Sequence, residues 1–419
     1  MSAGSRSWSL RASSDARVGL AVALAAAVFL GSWALLHVGV LARAQILDTP
    51  VYARYGEAMS RGEGPYRDFT PEYPPLALVP FVVPALLSSD AAGFRDVFEA
   101  EMAACGALLL LAVALGARTL GDGDRRLRLT LLAVALFPLA LGSVVLSRFD
   151  LWPALLTSAA LAALLSGRDR AGFGVLALAV AAKIYPGVLL PLALAWTWRR
   201  RGRREAYACL GVFVLVLAVC FLPFAALSPS GMAHSLGRQL SRPLQIESLG
   251  AGFLLAAHQA FGLGIEMRSS AGSQNLVGTL PDVLASLQTA LQAAAIVFLW
   301  VRFARGPAEP ARLARYAAAA VVAFVALGKV TSPQFLIWLV PLVVLVRGPR
   351  GVRALALLYA AMVLTHVWFP YRYWELVRHF EPVTSWLVPA RDLVLVALLC
   401  VLAWPRARRE QVAAPVQGE

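Results

Sequence analysis

Apolar stretches long enough to cross a membrane recur along almost the whole of this 419-residue sequence. A helix needs about 20 such residues to span the hydrocarbon core of a bilayer. The chain is 59% hydrophobic and 15% charged, a balance that excludes a soluble globular domain. We therefore predict an all-α polytopic membrane protein that is embedded in the lipid bilayer.

The predicted spans account for most of the chain. The segment Pro74–Leu87 carries four prolines in 14 residues, which makes it too short and too broken to span. We predict that it is a juxtamembrane or re-entrant segment. The other apolar runs predict spans near residues 18–41, 99–117, 129–146, 151–165, 207–227, 282–301, 316–328, 334–346, 354–369 and 386–404.

One further apolar stretch, Ala171–Trp198, must be a hairpin. Its flanks, Gly167–Arg170 and Arg199–Arg204, are both basic. The positive-inside rule therefore puts both flanks in the cytoplasm. Pro186 and Pro191 permit a break near the centre. With this hairpin the chain makes twelve crossings and has both termini in the cytoplasm.

The hairpin places Lys183 in an unusual position. Each limb has about 12 residues and rises about 18 Å, less than the roughly 30 Å hydrocarbon core. The apex, which holds Lys183, is therefore at membrane depth. Irregular backbone at that depth must line a cavity or be buried in protein. We predict that Lys183 faces a polar cavity open to the outside.

The predicted topology separates the charges and defines the domains. The net charge of +14 comes from basic residues, most of which fall in short inner loops. Their placement sets the membrane topology and does not indicate nucleic-acid binding. Most acidic residues fall in the outer loops. We predict one transmembrane domain over residues 1–404, whose outer loops 42–98 and 228–281 form the catalytic face, and a cytoplasmic tail over 405–419.

Three short turns on the predicted outer side each place a cation beside the end of a span. SRFD offers Arg148 and Asp150, KIYP offers Lys183, and GKVTSPQF offers Lys329 and Gln334. The two lysines are the only ones in the chain. Converging cations at this level suit a lipid phosphate. Alternatively, Arg148 pairs with Asp150 and the lysines extend to lipid headgroups.

The segment LDTPVYARYGEAMSRGEGPYRDFTPEYPPL resembles the first outer loop of the GT-C superfamily of membrane glycosyltransferases. The strongest resemblance is to glycosyltransferase family 87, the polyprenyl-phosphate-sugar-dependent mannosyl- and arabinofuranosyltransferases of actinobacteria. SRFDLWPALL, AAKIYPGVLLP, RPLQIESLG and KVTSPQFLIWLVP are similar to later blocks of that family. The last block also resembles the catalytic subunit of the first GPI-anchor mannosyltransferase.

This resemblance implies a GT-C-like helical bundle in the plasma membrane with its active site on the outer face. It also implies a polyprenyl-phosphate sugar donor, a glycolipid or cell-envelope glycan acceptor, and an acidic base in the first outer loop. Asp48 matches that base by position. Family members often carry two neighbouring acids there, whereas Thr49 follows Asp48 here. Glu72 or Asp68 could therefore share the role. Asp48 could instead cap a short helix.

The chemistry of the reaction assigns roles to the other candidates. An acceptor hydroxyl needs a base, which Asp48 would supply, and in-line attack would invert the anomeric centre. The leaving lipid phosphate needs charge stabilisation. Candidates for that stabilisation are Arg148, Lys183, Lys329 and Arg242, and candidates for other substrate contacts are Tyr52, Asp150, Glu247 and Gln334.

Two other functions stay open at this level. A transporter or lipid flippase would favour ionisable residues in mid-span and repeated halves with broken helices. A lipid-linked polysaccharide ligase would share an outer active site. The four cysteines lie in apolar runs and lack the spacing of metal ligands, so the sequence implies no certain cofactor and predicts no metal site. It leaves a need for a divalent metal, the sugar, the acceptor and the linkage undecided.

Overall fold

The structure is a computed structural model that describes residues 3–42 and 46–404. The predicted tail over 405–419 lies outside the described residues. The described residues form 17 α-helices and a small sheet. In the first half of the chain the helices are α1 (Ala3–Leu35), α2 (Thr49–Ser60), α3 (Val79–Leu87), α4 (Ala91–Thr119), α5 (Asp124–Leu141), α6 (Leu151–Leu165), α7 (Asp169–Ala182) and α8 (Leu190–Arg201).

The second half continues the helical pattern. Its helices are α9 (Arg203–Leu227), α10 (Pro229–Leu240), α11 (Leu249–Phe261), α12 (Thr279–Ala304), α13 (Pro310–Ala326), α14 (Phe335–Val343), α15 (Gly348–Trp368), α16 (Tyr373–His379) and α17 (Pro382–Ala403). Short 3₁₀ turns cover Gly39–Ala42, Pro75–Leu78, Gly142–Val145 and Tyr185–Leu189.

Long apolar helices confirm the prediction of an all-α polytopic membrane protein. Within the described residues, seven segments are long and apolar enough to cross a membrane. They are Asp15–Leu35, Ala91–Thr119, Asp124–Val145, Arg203–Leu227, Thr279–Ala304, Gly348–Trp368 and Pro382–Ala403. The shorter apolar helices include α6 and α11. The total of twelve crossings stays a prediction, since it counts shorter helices and the hairpin as well.

The stretch around Lys183 is broken, as its sequence predicts. Helix α7 ends at Ala182, and Lys183 has extended backbone angles of φ −161° and ψ 140°. A 3₁₀ turn follows and leads into α8, with Pro186 in the first turn and Pro191 at the start of α8. With 14 and 12 residues, the two helices rise only about 21 and 18 Å. Neither helix alone reaches across the hydrocarbon core.

The core of the bundle lies around α13 and α14. All residues of α14 from Leu336 to Val343 are buried, and Ala317–Ala323 of α13 are buried as well. Helix α13 packs against α12, α14 and α17, while α6 packs against α4 and α7. By contrast, only Ala206, Cys209 and Phe213 of α9 are buried, as expected for a helix that faces lipid. The central helices thus hold the irregular turns at their ends in fixed positions.

The two long segments that the sequence predicts to be outer loops fold into a cap of short elements. In the first segment α2 packs against α3, and Gly56 permits a close approach, because a Cβ there would lie 2.1 Å from the Phe81 carbonyl oxygen. The second segment contains α10, α11 and an antiparallel sheet in the order β1–β3–β2. Its strands are β1 (Leu244–Gln245), β2 (Glu266–Ser270) and β3 (Ser273–Val277).

Candidate active site

Asp48 lies directly before α2 and contacts Arg148 from the turn between α5 and α6. The two side chains form an ion pair, and the Tyr52 hydroxyl donates a hydrogen bond to Asp48 Oδ2 at 3.4 Å. Asp48 is 31% exposed, whereas Arg148 is 6% exposed. Among the described residues, the Asp48 side chain does not cap α2. The structure thus brings the predicted base and one predicted phosphate-binding cation into direct contact.

Tyr52 fixes the position of Asp48 from within the aromatic core of the cap. It is buried, stacks on Phe81 with ring centroids 4.2 Å apart, and meets the Phe149 ring edge-on at 5.7 Å. Burial raises the pKa of Tyr52 well above its ordinary value. Its hydroxyl therefore stays protonated at neutral pH and donates to the carboxylate. The exposed part of the Asp48 side chain, 31% of it, remains accessible to another ligand.

A second buried pair lies beside the first. Lys183 Nζ is 2.6 Å from Asp150 Oδ1, and Trp338 Nε1 donates to the same oxygen at 2.6 Å. The ammonium also lies over the rings of Phe149, Trp338 and Phe335, at 4.5, 5.0 and 5.7 Å from their centroids. Aromatic faces attract a cation, most strongly where water is excluded. In the structure Arg148 pairs with Asp48, and Asp150 pairs with Lys183. This differs from the Arg148–Asp150 pair that the sequence offered as an alternative.

The third cation-bearing turn, between α13 and α14, contacts strand β1 of the cap. The backbone N–H of Gln245 donates to the Lys329 carbonyl oxygen at 3.0 Å, and the side-chain amide of Gln245 donates to Ser332 Oγ at 3.1 Å. Gln334 immediately precedes α14, which carries Phe335 and Trp338. The three predicted turns are therefore linked through the elements around them. The structure places Lys329 next to the Gln245 strand and not in the Lys183–Asp150 pair.

A buried charge cluster that the sequence analysis missed adjoins this strand. Arg391 is fully buried in α17, donates to the Glu247 carbonyl oxygen at 2.7 Å and pairs with Asp392 at 2.8 Å. Gln245 also donates to the Glu247 carboxylate. Charged residues within an apolar span are functional candidates by default. The pair Arg391–Asp392 inside the predicted span 386–404 was the signal that could have identified this cluster.

The remaining predicted residues lie in the cap that the two long segments form. Asp68 accepts from the Gly64 amide at 2.7 Å and pairs with Arg67 at 2.8 Å, and these bonds lower the pKa of Asp68 to about 2. The Glu72 carboxylate lies against Gly272 in the β2–β3 turn. Burial lowers the pKa of Arg242, and the carboxylates of Glu72 and Glu247 oppose this effect. Asp68 is thus held in its own turn.

The pKa of Glu247 makes the pH dependence of stability testable. Burial raises the pKa of Glu247 from its ordinary 4.5 to about 7, although Arg391 and Arg148 act in the opposite direction. The folded protein therefore retains a proton that the unfolded chain loses, so stability should fall as pH rises from about 4.5 to 7. The pKa difference corresponds to roughly 3 kcal/mol. We expect Glu247→Gln to flatten this part of the profile and to raise the melting temperature above pH 7.

Thermal unfolding in detergent between pH 5 and pH 8 measures this effect. Asp68→Asn is a matched control, because the pKa of Asp68, about 2, lies well below this range. The control should keep the slope of the unchanged protein. Parallel profiles for the unchanged protein and Glu247→Gln would show that Glu247 does not titrate in this window.

Metal ligands do not gather at this site in the structure. Across residues 3–42 and 46–404, no group of three or more His, Cys, Asp or Glu side chains is placed to hold a metal ion. The four cysteines are free thiols. The site itself offers two carboxylates, each paired with a cation, under a polar and aromatic cap.

Such a site at the end of a helical membrane bundle is typical of a membrane glycosyltransferase. Residues 69–333 match glycosyltransferase family 87. This match covers more than half of the chain, so the protein belongs to glycosyltransferase family 87. The resemblance predicted from the sequence is thereby confirmed. No protein of curated function matches the sequence.

Comparison with solved structures supports the GT-C fold. The crystal structure of ArnT from Cupriavidus metallidurans bound to undecaprenyl phosphate is similar, with a TM-score of 0.50 and 17% sequence identity. The match covers 92% of this chain and 76% of that one. The oligosaccharyltransferase of Archaeoglobus fulgidus in its apo form gives a TM-score of 0.44 at 14% identity and covers 92% of this chain and 56% of that one.

Proposed function

We propose that the protein transfers a sugar from a polyprenyl-phosphate donor to a hydroxyl of a glycolipid or cell-envelope glycan, with inversion at the anomeric carbon. Mannose or arabinofuranose is the proposed sugar, in keeping with the family resemblance. The observation that carries the proposal is the contact between Asp48 and Arg148. This ion pair places a partly exposed carboxylate beside a buried cation. The protein that contains it belongs to glycosyltransferase family 87.

Asp48 is the proposed general base. A hydroxyl has a pKa far above 7, so its proton must leave during attack on the anomeric carbon. The carboxylate of Asp48 is partly exposed and oriented by Tyr52 and Arg148, so it can face an acceptor. The anomeric C–O bond to phosphate breaks as the new C–O bond forms, and the proton goes to Asp48. The lipid phosphate leaves with the electron pair.

The buried cations are the proposed phosphate-binding groups. Arg148 and Lys183 each neutralise a carboxylate, Asp48 and Asp150 respectively. A donor phosphate that binds Arg148 competes with Asp48 for the guanidinium and thereby frees the Asp48 carboxylate to face the acceptor hydroxyl. Binding of the donor would in this way activate the base. Lys329 and Arg242 are proposed to contact the donor at the edge of the site, and Gln334 is proposed to contact substrate.

The choice of a polyprenyl-phosphate donor draws on two observations. ArnT, whose fold is similar, has been crystallised bound to undecaprenyl phosphate. In this chain, Lys183 sits at the end of a helix that is too short to span the bilayer, where a lipid phosphate can reach it. A donor anchored by a polyprenyl tail delivers its phosphate at that depth, which a soluble nucleotide sugar does not.

A transfer assay with purified protein tests the proposed function. The donor is a radiolabelled polyprenyl-phosphate mannose or arabinofuranose, and the acceptor is an envelope glycolipid extract. We expect label in the glycolipid and release of polyprenyl phosphate in equal amounts. Transfer from a nucleotide sugar alone, or release of lipid phosphate without glycolipid product, would exclude this donor and this reaction.

We also propose that the site lies on the outer face of the plasma membrane and that both termini are cytoplasmic. Residues 1–404 would form one domain, and segments 42–98 and 228–281 would form its catalytic face. A test of this orientation by chemical labelling needs exposed positions. Ser235 in segment 228–281 is unsuitable, because it is buried and donates to the Pro71 carbonyl oxygen at 2.6 Å. Ser241 and Arg204 are exposed and serve better.

The orientation is tested by cysteine labelling of intact cells after the four native cysteines are replaced by alanine. We expect Ser241→Cys to react with a membrane-impermeant maleimide and Arg204→Cys to react only after the membrane is opened. The reverse pattern would put the candidate site on the cytoplasmic face and contradict the use of an externally presented donor.

A further inference from the structure

A cleft lies at the opposite end of α5 from the candidate active site. It opens between the first turns of α5 and α15 and has a volume of about 760 Å³. This is within the range of roughly 300–1,000 Å³ that is usual for small-molecule sites. Leu129, Val344, Val346, Val352 and Leu355 are the large apolar residues of its lining. The interior is therefore almost entirely apolar.

Charged side chains lie at one end of this cleft. Arg125, Arg126 and Asp124 belong to its lining. Arg126 pairs with Asp122 at 2.8 Å, and Asp124 pairs with Arg17 at 3.1 Å, so these charges are neutralised by the protein. Arg125 is exposed and makes no ion pair with another described residue. One positive charge at the end of the cleft thus remains for an anion.

The position of the apolar residues identifies the surroundings of the cleft as lipid. Leu129 is 57% exposed and Val352 is 69% exposed, on the outer surface of two helices that can span a membrane. Arg125 is one helical turn before Leu129, so both lie on one face of α5. The loops at this end carry basic residues and are predicted to be cytoplasmic.

We propose that this cleft binds one anionic phospholipid of the cytoplasmic leaflet, with its phosphate at Arg125 and an acyl chain along Leu129 and Val352. The apolar walls match an acyl chain and the charge matches a phosphate, as in basic pockets between membrane helices. The chain's own tail segment 406–409 is basic. It would be repelled by Arg125 and fits an apolar cleft poorly. The proposal is independent of the transfer reaction.

Arg125→Gln tests the site, and Arg353→Gln is the matched control. Arg353 is exposed in the first turns of α15 but does not line the cleft. We expect native mass spectrometry of the purified protein to show about five-fold less retained phosphatidylglycerol for Arg125→Gln, and no change for Arg353→Gln. Phosphatidylglycerol should raise the melting temperature of the unchanged protein more than phosphatidylcholine does, and Arg125→Gln should lose that difference.

A second variant tests the apolar part. Leu129 faces outward, so the Leu129→Trp variant should fold. The indole ring is larger than the leucine side chain and should fill part of the cleft. It should reduce retention of phosphatidylglycerol while Arg125 is unchanged. Equal responses of Arg125→Gln and Arg353→Gln, or equal effects of phosphatidylglycerol and phosphatidylcholine, would overturn the proposal of an anionic-lipid site. So would full lipid retention by Leu129→Trp.

Discussion

Asp48→Asn should lower sugar transfer by about 10²–10⁴-fold, the usual contribution of a positioned general base. Asparagine has the size of aspartate; its oxygen can still accept from Arg148, and its amide group can donate to the Tyr52 hydroxyl, the two groups that contact Asp48 in the structure. The variant therefore removes the basic carboxylate while the geometry around it is largely kept. Steady-state transfer from a polyprenyl-phosphate sugar measures the loss, and equilibrium binding of the donor should change little by comparison.

Glu72→Gln is the companion variant, because Glu72 is one of the two acids, with Asp68, that could share the role. Its carboxylate packs against Gly272 in the outer cap, so its removal should have a much smaller effect on turnover. If Asp48→Asn retained near-normal transfer while Glu72→Gln lost it, the base would be Glu72 and the Asp48–Arg148 pair would be structural.

Lys183→Met should lower turnover by about 10²–10³-fold, which is the scale for removing one preorganised electrostatic contact. The charge on the leaving phosphate grows during the reaction, so the ammonium should stabilise the transition state more than the bound donor. A fall in kcat with a smaller rise in the KM for donor is the expected signature. Lys183→Arg should restore only part of the activity, because a planar guanidinium does not fit the site of a compact ammonium between three aromatic rings.

The ion pair with Asp150 requires a control for stability. Lys183→Met leaves Asp150 buried without its cation, and breaking a buried pair in this way costs about 3–5 kcal/mol. The double variant Lys183→Met with Asp150→Asn removes both charges and should recover most of that stability. Recovery of stability without recovery of turnover assigns Lys183 to catalysis. Recovery of both would mean that Lys183 only neutralises Asp150.

The sequence could predict the fold class and the position of the irregular turns because both depend on local patterns. Runs of apolar residues define the spans, and the paired basic flanks with Pro186 and Pro191 define the break near Lys183. The acidic residue before α2 was recognisable from the family pattern. These features need no knowledge of which helices are neighbours.

The pairing of charges could not be predicted, because it depends on how distant segments pack. Arg148 is two residues from Asp150 but pairs with Asp48, which is a hundred residues away in the chain. Asp150 instead pairs with Lys183 and accepts from Trp338. The small sheet was missed for a similar reason: its strands are short, and β1 pairs with β3 although α11 and β2 lie between them in the chain.

The short helices on either side of Lys183 also constrain how the chain is inserted into the membrane during synthesis. Neither α7 nor α8 is long enough to be released into lipid as a finished span, and Lys183 between them would be costly in lipid without Asp150. The two helices should therefore leave the translocon together, after α6 is in place. Crosslinking of arrested nascent chains that are long enough for α7, but not α8, to have left the ribosome should find α7 still held at the translocon, and its early release into lipid would contradict this order of assembly.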